Sequence, residues 1–271
     1  MSGGVNDFEF QTVEMQKEER NPGGTSDLGK SPETKPATPP PPVSKSILYP
    51  RPAADPFDAR KYFATRPGAF DQAMDDLQAH VLTNMGETAH GFWLLTEIDH
   101  WNNERERVLV ITDLALLICK YDFIMLKCLQ VQKVPLSYID RVCLGSFTFP
   151  EKSLERRDGE GLRIFWDKQR EPTFLSRWNP WATNLPYATF AEHPVKNSSQ
   201  RFTAICQLST FTAQLVEAVQ NAQRRDPVPG RTGGVTVVNE PIFIDTYTGL
   251  MSFIGNRNKL GYSLARGSFG F

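Results

Sequence analysis

From Gly91 onward the chain runs through one short apolar segment after another, with gaps too small to hold a helix between most of them. Residues 92–98, 107–112, 114–121, 126–131, 133–136, 139–144 and 162–166 are rich in Val, Ile, Leu, Phe and Trp, as strands are. A parallel neighbour needs a crossover of about a dozen residues or more. Turns as short as the one at Asp113 therefore predict an antiparallel meander, which curls into a small barrel or sandwich.

Helical spacing flanks these strands on both sides. Phe70, Met74, Leu77 and Val81 recur at steps of four, three and four, while Asp71, Asp75 and Asp76 lie on other faces and load the early turns with negative charge. Residues 209–225 read as a second helix. Ser209 is its N-cap, Phe211, Leu215, Ala218 (or Val219) and Ala222 form its stripe, and Arg224-Arg225 sit at the end a helix dipole favours for cations. Asp226-Pro227 stops it. Phe202, Ile205 and Leu208 suit a short helix just before. Residues 235–238 form a further strand that 241–244 extend, and 246–271 combine large apolar residues with Arg257, Lys259 and Arg266. The expected fold is α+β: an antiparallel small barrel or sandwich with a C-terminal capping helix, an added N-terminal helix and a C-terminal extension.

Composition places the domain limits. Half of the 20 prolines precede residue 57, with Gly, Ser and Thr between them and few aromatics. Such a segment buries too little apolar surface to offset the entropy of ordering, so 1–57 is expected to be a disordered tail. Pro39 to Pro42 favour polyproline II, either as a spacer or as a short ligand. Residues 58–226 form the domain, and 227–271 an extension packed on it.

A net charge of −1 and a pI near 6.4 lack the surplus of Lys and Arg that phosphate backbones demand, so no nucleic-acid partner is expected. Cys119, Cys128, Cys143 and Cys206 have neither CxxC spacing nor a nearby His, which suits buried reduced thiols. None is followed six positions later by Arg, so a cysteine-dependent phosphatase loop is missing. His80, His90, His100 and His193 are too scattered for a metal, and GxSxG, Walker and HExxH patterns are absent. His100 beside Asp99 has no nucleophile in a defined motif to serve as its base. No cofactor and no catalytic residue are expected. The first residues carry no apolar leader, and no apolar run approaches about 18 residues, so the expected location is cytoplasmic.

Several runs together resemble the tumour protein p63-regulated gene family. They are residues 91–96 (Gly-Phe-Trp-Leu-Leu-Thr), 98–104 (Ile-Asp-His-Trp-Asn-Asn-Glu), 117–124, 177–181 (Arg-Trp-Asn-Pro-Trp), 248–254 and 260–263. The resemblance covers about residues 60–271. It implies a homology domain shared with Sac-type inositol phosphatases, outside their catalytic part, with a pleckstrin-homology-like fold and no known enzymatic activity. One branch of the family is peripheral on synaptic vesicles, which extends the expected location to vesicle membranes.

Three stretches are candidate interaction sites. The first strand-to-strand loop offers Trp101, Arg105 and Arg107, but three acids, Asp99, Glu104 and Glu106, offset its two arginines, which works against capture of a polyphosphate headgroup. Arg177, Trp178 and Trp181 suit either an interface hot spot or a wedge in the domain's own core. Arg257 and Lys259, among apolar residues, suit a membrane-interfacial element or a segment packed on the domain. The expected function is that of a non-catalytic adaptor for protein partners, a second copy of the chain among them. The alternatives are a peripheral membrane or phosphoinositide-binding module and an enzyme of unknown activity.

Overall fold

A computed structural model describes residues 62–153, 156–167, 185–229, 233–245 and 260. The proline-rich tail lies outside them, as do Arg177, Trp178, Trp181, Arg257 and Lys259.

Nine strands make up the described sheet: β1 (Ala89–Ile98), β2 (Glu104–Thr112), β3 (Ala115–Asp122), β4 (Lys127–Pro135), β5 (Ile139–Thr148), β6 (Glu160–Trp166), β7 (Tyr187–Glu192), β8 (Thr236–Asn239) and β9 (Ile242–Phe243). Their order is β4-β3-β2-β1-β7-β6-β5-β8, and β9 also pairs with β5. Strands β1 to β4 form one antiparallel meander and β5 to β7 another, with Leu95 opposite Glu192 in the β1–β7 junction. The chain is thus α+β with a large, mostly antiparallel sheet.

Both faces of the first meander are covered. Trp93, Leu95, Leu109, Ile111, Leu116 and Ile118 point to one face, under Phe211, Leu215 and Val219 of helix α3 (Leu208–Arg225). Leu94, Val108, Val110, Leu117 and Cys119 point to the other, under helices α1 (Ala69–Asp76) and α2 (Gln200–Cys206). Strands buried on two faces need apolar residues at every position, which is why residues 108–111 and 115–119 read as unbroken runs rather than alternations. The Phe211 ring meets Trp93 edge-on at 5.2 Å and Phe190 at 6.5 Å. Each such fully buried side chain contributes on the order of 1.5–3 kcal/mol.

Four details depart from the sequence expectation, each for a local reason. Helix α1 continues through a π-helical turn (Leu77–Leu82), in which the Thr83 N–H reaches back five residues to the Gln78 carbonyl. The wider turn carries Leu82, fully buried, into the place the α-helical spacing gave Val81. Helix α3 begins two residues earlier than expected, at Leu208, with Gln207 and not Ser209 at the N-cap. Residues 127–135 form one strand and not two, because Gln130 and Gln132 face a polar cavity instead of breaking the ladder. Strand β7 was not expected at all, since Ala188, Thr189 and Ala191 dilute its apolar signal although Phe190 is fully buried.

Strands β8 and β9 run parallel to β5, with Val142 opposite Val237 and Phe147 opposite Ile242. The crossing is close: the Glu240 N–H donates to the Leu144 carbonyl at 2.9 Å. A Cβ on Gly145 would lie 2.1 Å from the Glu240 carbonyl oxygen, so only glycine permits this approach.

Candidate interaction site at the β1–β2 turn

Residues 99–103 join β1 to β2, and the Asp99 carboxylate organises them. Its Oδ1 accepts the backbone N–H of Trp101 at 2.9 Å and of Asn103 at 2.8 Å. Its Oδ2 accepts Asn103 Nδ2 at 3.0 Å and Arg105 at 3.1 Å. Asn102 takes the left-handed backbone the turn requires, at φ 62°, which Asn tolerates better than most residues. Charge-assisted bonds from one carboxylate therefore fix the whole connection.

The side chains singled out in the sequence are brought together here, but they are engaged with one another. Trp101 is only 5% exposed and lies edge-on to His100. Arg105 pairs with Asp99, and Arg107 Nε donates to Glu97 Oε2 at 2.7 Å. Arg157, which the sequence did not single out, donates to Asn102 Oδ1 at 3.1 Å and to Glu104 Oε1 at 2.8 Å. The second Glu104 oxygen accepts the Leu260 N–H at 2.6 Å. Each guanidinium at the turn thus has its carboxylate. The polar atoms Asn102 Nδ2 and Asn103 Oδ1 are buried there without a partner among the described residues.

Beside the turn lies a cavity of about 70 Å³ whose walls include Glu97, Arg107, Lys120, Gln130, Gln132 and Thr189. That volume has room for a few waters, whereas drug-sized ligands occupy roughly 300–1,000 Å³. A larger recess of about 490 Å³ lies between the β2–β3 turn and α3, lined by His90, Asp113, Gln214, Glu217, Asn221 and Arg225 among others. Its lining mixes both signs of charge.

Several nucleophiles and bases are buried and bonded to their neighbours. His193 is fully buried; its Nδ1 accepts the Val195 N–H at 3.2 Å, so its Nε2 carries the proton donated to Glu106 at 2.8 Å. Burial pushes the Cys206 thiol up to about 12. A hydrogen bond between the Cys119 and Cys128 thiols, together with burial, holds Cys119 well above the usual thiol value, and the same bond draws Cys128 below it against the opposing effect of burial. Burial and the Asp76 carboxylate keep the Tyr121 hydroxyl protonated far above its ordinary range. Among the described residues no group of three or more His, Cys, Asp or Glu side chains could hold a metal ion. No described helix is long and apolar enough to cross a membrane.

Residues 61–167 match the family described as hSac2: Inositol phosphatase. Among solved structures, the hSac2 domain from human phosphoinositide phosphatase Sac2 aligns with a TM-score of 0.38 and 14% identity, over 64% of this chain and 90% of that one. The Tumor protein p63-regulated gene 1 protein of Homo sapiens is 62% identical over 229 residues, which are 84% of this chain and 83% of the relative. A match of that identity and extent runs through the β1–β2 turn and both meanders, and the chain belongs to the tumor protein p63-regulated gene family.

Proposed function

We propose that this chain is a non-catalytic adaptor, a pleckstrin-homology-like module that binds protein partners and works in the cytoplasm and at vesicle membranes. The strand order β4-β3-β2-β1-β7-β6-β5, with α3 packed over the core, supports the pleckstrin-type reading. The observation that carries the choice of a protein partner is the pairing of cations at the β1–β2 turn. Arg105, Arg107 and Arg157 are each bonded to a carboxylate, so an inositol polyphosphate would have to displace acidic groups before gaining a guanidinium. The recess beside α3, polar and of both charges, has the size and character that suit a peptide segment.

Two measurements on the full chain test this. Titration with soluble inositol trisphosphate should give no binding tighter than about 100 μM. Crosslinking in cells, run in parallel with a Gln214→Arg/Glu217→Arg variant of unchanged melting temperature, should recover a defined protein that the variant loses. Low-micromolar inositol trisphosphate binding that disappears in Arg105→Ala/Arg107→Ala would overturn the reading, as would identical crosslinks from the two proteins.

A further inference from the structure

Residues 123–126 join β3 to β4, at the same end of the meander as the β1–β2 turn. This turn is built firmly. Asp122 Oδ1 accepts the N–H of Ile124 at 2.8 Å and of Met125 at 2.9 Å. Phe123 is 4% exposed and packs against the Tyr121 ring at 5.0 Å, anchoring the turn from beneath. Leu126 closes it at φ 51°. The result is that Ile124, Met125 and Leu126 stand 61%, 60% and 45% exposed on a backbone with its own internal restraints.

Three consecutive large aliphatic residues in water are an unfavourable arrangement that a turn sequence does not need. Elsewhere among the described residues, large exposed apolar side chains are separated: Leu114, Val237 and Phe243. The flanking charges are two lysines and one aspartate, with positive charge in excess. Lys120 and Lys127 are exposed and neither forms an ion pair among the described residues, while Asp122 is turned to the backbone. The remaining choice is between a lipid surface and a protein groove. A four-residue turn is convex, and two of its N–H groups are already bonded to Asp122, so it brings aliphatic surface and little directional polarity. A bilayer asks for just that: apolar side chains to enter the acyl boundary, and lysines whose stems bury while their ammonium groups stay among anionic headgroups.

We infer that the β3–β4 turn is a membrane-inserting tip, with Ile124, Met125 and Leu126 entering the bilayer and Lys120 and Lys127 meeting anionic lipid. It recognises negative surface charge and not a particular headgroup, because the cavity that Lys120 lines, at about 70 Å³, is too small for one. A single short tip gives weak, reversible attachment. The inference stands on this turn alone and not on the adaptor reading.

Flotation of the full chain with phosphatidylcholine vesicles, with and without phosphatidylserine, tests it. Binding should require phosphatidylserine and weaken with salt, and Ile124→Ser/Met125→Ser should lower the partition coefficient by roughly tenfold or more. Lys120→Glu/Lys127→Glu should abolish the dependence on phosphatidylserine. A nitrobenzoxadiazole probe at Met125→Cys, in a Cys128→Ser background, should shift to the blue on vesicles. Failure of the full chain to float, equal flotation of the Ile124→Ser/Met125→Ser variant, or an unchanged probe spectrum would each overturn the inference. So would binding that depends on phosphatidylinositol bisphosphate at matched charge and is lost with Arg105→Ala/Arg107→Ala, since that assigns the contact to the β1–β2 turn.

Discussion

Two neighbouring hairpin turns, β1–β2 and β3–β4, use the same device to opposite ends. In each, an aspartate at the end of a strand accepts two backbone N–H groups of the residues that follow: Asp99 from Trp101 and Asn103, Asp122 from Ile124 and Met125. In each, one aromatic residue is buried beneath, Trp101 or Phe123. What differs is the rest. The first turn has the composition of a binding site (Trp, His, Asn, Arg), yet its arginines are paired and its indole is inside. The second has the composition of a core strand, yet its aliphatic residues point to solvent between lysines that form no ion pair among the described residues. Residue type alone therefore misplaces both; the local bookkeeping of donors and carboxylates places them.

The largest test of this contrast compares one side chain from each turn. Trp101→Ala removes a buried indole and should cost about 3–5 kcal/mol of stability. Met125→Ala removes a side chain that is 60% exposed, and should stay within about 0.5 kcal/mol. Urea denaturation of the two variants reads both. Similar losses would break the distinction between an internal and an external turn.

Much of this was legible in the sequence, and the exceptions have physical causes. The two-face burial of β2 and β3 was visible as unbroken runs at 108–111 and 115–119, because half-buried strands would alternate. The stripe of α3 was visible through Phe211, Leu215 and Ala222. The π-helical turn was not, since Val81 and Leu82 are equally apolar and only the backbone decides which one turns inward. Parallel pairing of β8 with β5 joins residues nearly a hundred positions apart, beyond any local pattern. At the β1–β2 turn the sequence supplied the right residues, and the surplus of acids around Arg105 and Arg107 already hinted that they are neutralised. Arg157 escaped because its carboxylate, Glu104, is 53 positions away. At the β3–β4 turn the strand limits of 121 and 126 left a connection in nearly the right place, but four apolar residues follow Asp122 where turn formers belong, and they drew no attention as a surface.

The thiols of the β3–β4 hairpin sharpen the contrast by a chemical rate. Cys128 follows the tip directly, is only partly buried, and is drawn below the ordinary thiol range by its bond to Cys119. Cys206, under the second core face, is pushed up to about 12 by burial. The thiolate is the nucleophile, so iodoacetamide at pH 8 should modify Cys128 at least roughly a hundredfold faster than Cys206. Peptide mass spectrometry over time gives both rates. Equal rates would mean that the hairpin is no more open than the core.

The smallest effect comes from a third turn, β2–β3, which sets a floor for what an exposed turn carboxylate contributes. A hydrogen bond from His90 lowers the Asp113 pKa from its ordinary value. The pair lies in solvent, with the Asp113 side chain 40% exposed against 9% for Asp99. A depressed carboxyl pKa stabilises the fold above the unfolded value, about pH 4, and that stability is lost as pH falls through the lower folded value. Asp113→Asn should therefore cost about 0.3 kcal/mol near pH 6, after allowance for solvent screening, and nothing measurable once both forms are protonated in strong acid. Asp99→Asn, which weakens four hydrogen bonds in a partly buried turn, should cost on the order of 2 kcal/mol at the same pH. Melting curves of the two variants across this range give the ratio directly. If Asp113→Asn cost as much as Asp99→Asn, burial would not be what separates these turns, and the proposal that the paired arginines beside Asp99 turn away a polyphosphate would lose its support.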